Sequence, residues 1–413
     1  MLVGLDVGTT AVKAAAFDEA GRELSQGRAR TPWRTVPTGA EVDPGELLAA
    51  AVTAAREAVA AAGGGRVAGL GVAGMAETGV LVDGAGRPVV PAIAWHDSRG
   101  GEQAERLARD LPAFAERVGL PPSRLCTLAK YRWMREHRPE SAGGVRWHNV
   151  GEWIVRGLGG EPVAELSLAS RTGFYDLHAQ RPWDEALAWA DAPAALAPEA
   201  VPAGTPMGAV GDALPEARGA VLTVGGHDHL AAAVGLGAAG EGDLVDSCGT
   251  AEAFVQATAP LDAPRVARAV EDGISVGWHA VPGRQALLGA HSSGAALRDV
   301  LARFGVTPEE RGPVEEAALE IERGGSGDER AAAYHAALDE VGRIGAGILA
   351  HMAAVAGPAR RLVVTGGWAA GPAARAVKER HLGAFELSPT LFSGGARGAA
   401  LAAGRAAAVQ EVV

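Results

Sequence analysis

The chain has 413 residues, 48% hydrophobic and 21% charged, with a formal net charge of -11. This suits two globular domains with sizeable cores, and the acidic balance argues against nucleic-acid or membrane-surface partners while leaving phosphate-bearing ligands open. The cysteines, Cys126 and Cys248, form no CxxC pattern, which argues against a disulfide framework or thiolate zinc site and fits a reducing cytoplasm.

Residues 2–7 (LVGLDV) read as a buried strand, GTT as a turn, 11–17 (AVKAAAF) as a second strand, and 18–21 as a turn into a third. A long helix follows over 43–62, opened by aspartate and proline. Residues 66–74 form a strand, 83–88 (DGAGRP) a hairpin turn, and 99–139 are mostly helical. Segment 205–216 is irregular and fits a surface or inter-domain stretch. The order then restarts with a strand at 220–226, the helix HDHLAAAVGLGA, a strand and turn at 243–250, and a strand at 251–257. Segment 304–330 is a loop or peripheral helix, 328–357 a long helix, and 361–367 a strand. Two further helices close the chain, AAGPAARAVKERH and GGARGAALAAGRAAAV. No signal peptide or apolar run of membrane-spanning length stands out. LVGLDVGTTAVKAAAF and DLVDSCGTAEAFVQA share a plan: aspartate near a strand end, a Gly-Thr turn, an outgoing strand. That echo predicts two similar α/β halves facing each other across a cleft.

Three strands end in small-residue turns, DVGTT (6–10), DSCGT (246–250) and TGG (365–367). Such turns expose backbone N–H groups to an anion and together favour a nucleotide-phosphate cleft, although none is a GxGxxG or P-loop fingerprint. Asp6 in the first turn suits Mg2+, held directly or through water, or simply closes an Asx-turn. Lys13 is a phosphate contact or a solvated edge lysine. Asp228, in GGHDHLAAAVG, stands between His227 and His229 at a helix start. It reads as a rigidly held base, a helix cap, or with its histidines a metal ligand. The two histidines share a face only on a strand, and His291 and His351 join them only through the fold. Trp33, Trp133 and Trp153 are expected to pack between helices.

Together these blocks resemble the FGGY carbohydrate kinases, the family of xylulokinase and glycerol kinase. DVGTTAVK (6–13) matches D-x-G-T-[TS]-x-x-K, and AWHDSR (94–99) resembles W-x-D-x-R. GHDHLAAAVG (226–235) resembles the block with the catalytic aspartate, SCGTAE (247–252) the second phosphate turn, and VVTGGWAAGPAARAV (363–377) the adenosine-side segment. The resemblance implies a duplicated actin-like, ribonuclease H-like α/β fold with two lobes around a central cleft. It divides the chain into a sugar-binding lobe, 1–220, and a nucleotide-binding lobe, 221–413. It implies ATP-dependent phosphorylation of a hydroxyl on a small sugar or polyol, with ATP and Mg2+ as cofactors, by a cytoplasmic protein for which a homodimer is one compatible assembly. By position it implies Asp228 as general base and Asp6 with Asp228 at Mg2+. Gly8, Thr9, Thr10 and Lys13 would meet phosphate, and Gly249, Thr250, Gly366 and Gly367 would serve the nucleotide. Glu77, Trp95, His96, Asp97 and Arg99 would form or support the sugar site. Glu165 falls where the family often has an aspartate, shaping the core or reaching a substrate hydroxyl.

The chain also departs from the pattern. His229 replaces a usual asparagine, Trp368 a small residue beside the expected adenine site, and HSSGAALRD the G-E-R-x-P stretch. The chain is shorter than most members, in its second half. Three other readings therefore stand beside the kinase: a sugar- and nucleotide-binding regulator with weakened turnover, another actin-fold ATPase, and a metal hydrolase built on His227-Asp228-His229.

Overall fold

A computed structural model describes residues 1–18, 20–388 and 392–410. One central sheet contains Leu2–Val7 (β1), Ala11–Phe17 (β2), Glu23–Arg30 (β3), Gly69–Gly74 (β4) and Val221–His227 (β5), in the order β5-β4-β1-β2-β3. The other contains Asp243–Cys248 (β6), Glu252–Thr258 (β7), Ser275–Trp278 (β8), Gln285–His291 (β9), Arg361–Thr365 (β10) and Glu386–Leu387 (β11). Its order is β8-β9-β7-β6-β10-β11. The plan is the same twice. β1 pairs antiparallel with β2 and parallel with β4, and β6 pairs antiparallel with β7 and parallel with β10. This is the duplicated actin-like, ribonuclease H-like arrangement.

Helices cover both faces of the first sheet. Pro44–Ala61 (α1) starts as its sequence predicts: Asp43 accepts from the N–H groups of Gly45 (2.8 Å) and Glu46 (3.1 Å), with proline at the first turn. Its buried stripe of Leu47, Ala51, Ala54, Ala55 and Ala58 faces the sheet. The expected helical stretch 99–139 contains Gly101–Asp110, Phe114–Val118 and Thr127–His137 (α2). Asp228–Gly235 (α3) follows β5, Pro372–Leu382 (α4) follows β10, and Gly394–Gln410 (α5) is the last described helix. No helix among the described residues is long and apolar enough to cross a membrane.

The division at residue 220 is corrected by the sheet pairing. β5 lies parallel to β4, from Val221 opposite Gly69 to His227 opposite Gly74, so it belongs to the first sheet. α5 also returns to that sheet and packs on β1, β4, β5 and α3. The approach is backbone to backbone. A Cβ at Gly4 would lie 1.8 Å from the Ala396 carbonyl oxygen, one at Gly71 2.0 Å from that of Ala399, and one at Gly398 1.9 Å from that of Ala231. The abundance of alanine and glycine thus has a packing cause in this layer. The charged segment 304–330 contains the helix Gly312–Glu322.

Gly71→Val should force α5 away from the sheet and cost roughly 3 kcal/mol or more of stability, as overpacking against rigid backbone does. Urea denaturation measures this; a wild-type midpoint would rule out the close packing.

Candidate active site

β5 delivers Asp228 to the cleft through a local irregularity. The register of β5 against β4 shifts between Val224 and Gly226, and Gly226 adopts φ 103°, a conformation that favours glycine. The following N–H, of His227, donates to Ser167 Oγ (2.9 Å), which donates to Glu165 Oε2 (2.7 Å). Glu165 also accepts from the N–H groups of Ser167 and Leu168, while its own N–H donates to Glu152 (2.9 Å). Burial pushes the Glu152 carboxyl up to about 7 and raises Glu165 as well. Both are therefore structural supports behind Asp228. Asp228 opens α3, accepting from the His229 N–H (2.7 Å), with His227 Nε2 3.2 Å from the same oxygen. Burial raises its pKa, but His229 and the His227 hydrogen bond outweigh that and hold it well below the usual carboxylate range. An ionised oxygen therefore faces the cleft, on a side chain that remains 24% exposed.

Asp6 stands at the end of β1, opposite Lys13 on β2. Ser393 Oγ donates to it (2.6 Å), and a Cβ at Gly395 would lie 2.8 Å from its carboxyl carbon. Burial and the charge of Asp228 push Asp6 up to about 6. Lys13 donates to the Phe392 carbonyl (3.4 Å). The adjoining turn is fixed by three donors: Thr31 Oγ1 to Gly8 O (2.7 Å), Trp33 Nε1 to Thr9 O (2.6 Å), and Trp95 Nε1 to Thr9 Oγ1 (2.9 Å). Thr10 is exposed. Trp33 thus braces this turn rather than packing between helices, because its indole N–H finds a backbone acceptor there.

A cavity of about 230 Å³ brings Thr9, Glu77, Trp95 and Asp228 together with Ala251, Ala253 and Leu288 from the second half of the chain. Glu77 has φ 57°, unusual for a side chain with a Cβ, and pairs with Arg171 (2.7 Å). Arg171 Nη1 also donates to Ser275 Oγ on β8 (2.8 Å), tying the two halves together. Lys130 on α2 donates to the carbonyls of Trp95 (2.7 Å) and Arg124 (2.6 Å), bracing the cavity wall. Burial lowers the Lys130 ammonium to about 8.

Three expected sugar-site residues lie off the cavity. Asp97 is fully buried, and its carboxylate accepts from Arg99 Nε (2.8 Å), Arg99 Nη2 (2.7 Å) and the Ala40 N–H (3.0 Å). Arg99 also bonds Glu41. With both oxygens engaged, Asp97 and Arg99 brace the wall from behind. His96 is exposed, edge-on to Trp33 (6.0 Å) and Trp95 (5.2 Å). His291 pairs with Glu252 and His351 with Asp272, so neither joins the His227–Asp228–His229 trio. The trio's donor atoms lie within 4.8 Å of one another.

On the other side, Gly249 and Thr250 are exposed at the turn between β6 and β7, next to Ala251 in the cavity wall. Gly366, at φ 103°, abuts this turn: a Cβ there would lie 2.4 Å from the Cys248 carbonyl oxygen. Gly367 follows, exposed, its carbonyl accepting from Arg311 (2.5 Å). The Arg311 guanidinium sits 4.9 Å over the Trp368 ring. Beneath the turn, buried Lys378 bonds both Asp246 (2.7 Å) and Glu252.

Sequence reasoning missed Arg171, Lys130, Ser167 and Lys378. Each acts across a long stretch of chain, such as the 132 positions between Lys378 and Asp246. The one local signal was DSCGTAE, with a carboxylate on either side of a turn.

Residues 1–235 match the FGGY family of carbohydrate kinases, N-terminal domain. Xylulose kinase of Streptomyces coelicolor is 36% identical over 253 residues, covering 57% of this chain and 50% of that one. Glycerol kinase of Bordetella parapertussis is 32% identical over 244 residues, covering 54% and 46%. The match thus spans about half the length of these relatives. A xylulose-type kinase structure from Brucella ovis superposes with TM-score 0.89 at 23% identity, covering 99% of this chain and 90% of its own, a likeness of fold.

Lys130 yields a test by pH. Its folded pKa, about 8, lies below the ordinary lysine value of 10.5. The unfolded chain therefore holds this proton more tightly between those values, and stability rises with pH through that window. Wild type should gain about 3 kcal/mol relative to Lys130→Met between pH 7.5 and 10.5. Parallel stability curves from urea denaturation would contradict the assignment.

Proposed function

The chain belongs to the FGGY family of carbohydrate kinases, and from that premise we propose that it transfers the terminal phosphoryl group of ATP to a hydroxyl of a small sugar or polyol. The acceptor class follows the relatives, which are named for xylulose and glycerol. One observation carries the reading: an ionised Asp228 opens onto a small cavity whose walls come from both halves of a duplicated fold.

Phosphoryl transfer needs an oriented hydroxyl, a proton acceptor, charge neutralisation and exclusion of water. Asp228 accepts the hydroxyl proton. Its low basicity is tolerable because the proton leaves late, as the bond to phosphorus forms. Glu77 and Arg171 offer an acceptor and donors to the other hydroxyls, and Trp95 and Leu288 supply the apolar wall. The backbone at Gly8–Thr10 and Gly249–Thr250 flanks the phosphates, with Lys13 near the first turn, and Gly366 and Gly367 serve the nucleotide side. His227 Nε2 and the His229 backbone N–H orient Asp228 and favour its ionised form.

The donor set fits Mg2+. Asp6 and Asp228 are carboxylates whose mutual repulsion helps raise Asp6, and hard oxygen ligands carrying unmet charge suit this ion. They would hold it directly or through water, and the bound ion supplies charge neutralisation for the phosphates.

Asp228→Asn keeps size and most capping ability but loses the basic oxygen. In a coupled ADP-release assay it should lower kcat by about 100-fold or more while retaining acceptor binding. Normal turnover would place the base elsewhere. Gly366→Val should drive the Cys248 turn away and weaken ADP binding in calorimetry far more than acceptor binding. Equal loss of both would count against a nucleotide role.

A further inference from the structure

The cavity at Asp228 has a neighbour. A second cavity of about 200 Å³ adjoins it, with Glu77, Leu125, Arg171, Leu288 and Ala290 lining both. Asp228 lines only the first. The Glu77–Arg171 pair therefore stands at the neck between them. Its two charges offset each other at 2.7 Å, so the neck offers hydrogen bonds without a net charge.

Past the neck the lining changes. Leu120, Pro121 and Cys126 come from the first half of the chain, and Gly273 and Ser275 from the second, Ser275 on β8. The Cys126 thiol is neutral, since burial pushes it up to about 11, and it is directed to the Thr172 carbonyl (3.7 Å). The Ser275 hydroxyl is already committed, accepting from Arg171 (2.8 Å) and donating to the Leu288 carbonyl (3.2 Å). Ser123 accepts from the Leu125 N–H (3.3 Å). A ligand hydroxyl here would find few partners beyond the Ser123 hydroxyl, whereas a methyl or alkyl group would meet the apolar surface of Leu120, Pro121 and Leu288.

We propose that this second cavity is a distal acceptor subsite, taking the deoxygenated or alkylated end of a ketose or polyol of six or more carbons. The hydroxylated end lies at Asp228, and the middle hydroxyls meet Glu77 and Arg171 at the neck. The assignment rests on the kinase reading above. Because the far cavity is walled by both halves of the chain, an occupant also links them.

The test uses glycerol, a five-carbon ketose, a six-carbon ketose and its 6-deoxy analogue. Initial rates and calorimetric Kd are measured for wild type and for Ser123→Phe, which fills the far cavity. Wild type should favour the 6-deoxy ketose over its hydroxylated parent about tenfold in kcat/KM and in Kd, the scale on which a pocket senses one such group. Ser123→Phe should lower kcat/KM for the 6-deoxy ketose at least tenfold more than for glycerol. The wild-type preference is read without any variant, so a folding failure of Ser123→Phe leaves the proposal testable. Absence of that preference, or equal loss for all acceptors in Ser123→Phe, overturns it. Preferential binding without phosphoryl transfer keeps the subsite and rejects the kinase reading. Transfer to every acceptor without preference does the reverse.

Discussion

Two carboxylates, Asp6 and Asp228, are held close enough for one charge to raise the pKa of the other. Much of the first sheet can be traced to holding them there. Asp228 needs the irregularity in β5, the left-handed Gly226 and the buried relay through Ser167 and Glu165. Asp6 needs Ser393 and the space left by Gly395, so the last helix must return to the first sheet. That return is possible only if backbones approach without side chains between them, which is what Gly4, Gly71 and Gly398 allow. A compositional bias that looked unspecific in the sequence is thus a packing requirement of the site.

The two halves share a plan but differ in charge. In the second half Asp246 occupies the place of Asp6, and burial and Glu252 push it up to about 7. There Lys378 bonds it directly and is itself buried. Asp6 takes a hydroxyl from Ser393 instead and faces Asp228. Duplication therefore yields one turn whose carboxylate is internally neutralised and one whose carboxylate has charge to offer a cation. Asp6 and Asp228, for which the metal and proton-acceptor roles are proposed, fall on the same side of the cleft for that reason.

What the sequence made legible was local. The aspartate, Gly-Thr turn and outgoing strand of each half can be read because a turn's chemistry lies within a few residues. The boundary between halves was misplaced because β5 and the last helix join the first sheet through pairings invisible in a linear reading. Asp97 and Arg99 show a subtler limit: spacing reveals that they belong together, but their bonds to Ala40 and Glu41 decide that they brace the wall and leave the cavity to Trp95. Arg171 and Glu77 are 94 positions apart, and only the fold makes them one feature.

In the proposed reaction the phosphoryl group goes to an acceptor hydroxyl rather than to water. Phosphorus NMR of a reaction containing the protein, ATP, Mg2+ and a short ketose tests it most directly. A phosphate monoester resonance should grow with ADP and disappear when the ketose is omitted. Inorganic phosphate as the sole product, formed equally with and without the ketose, would contradict it.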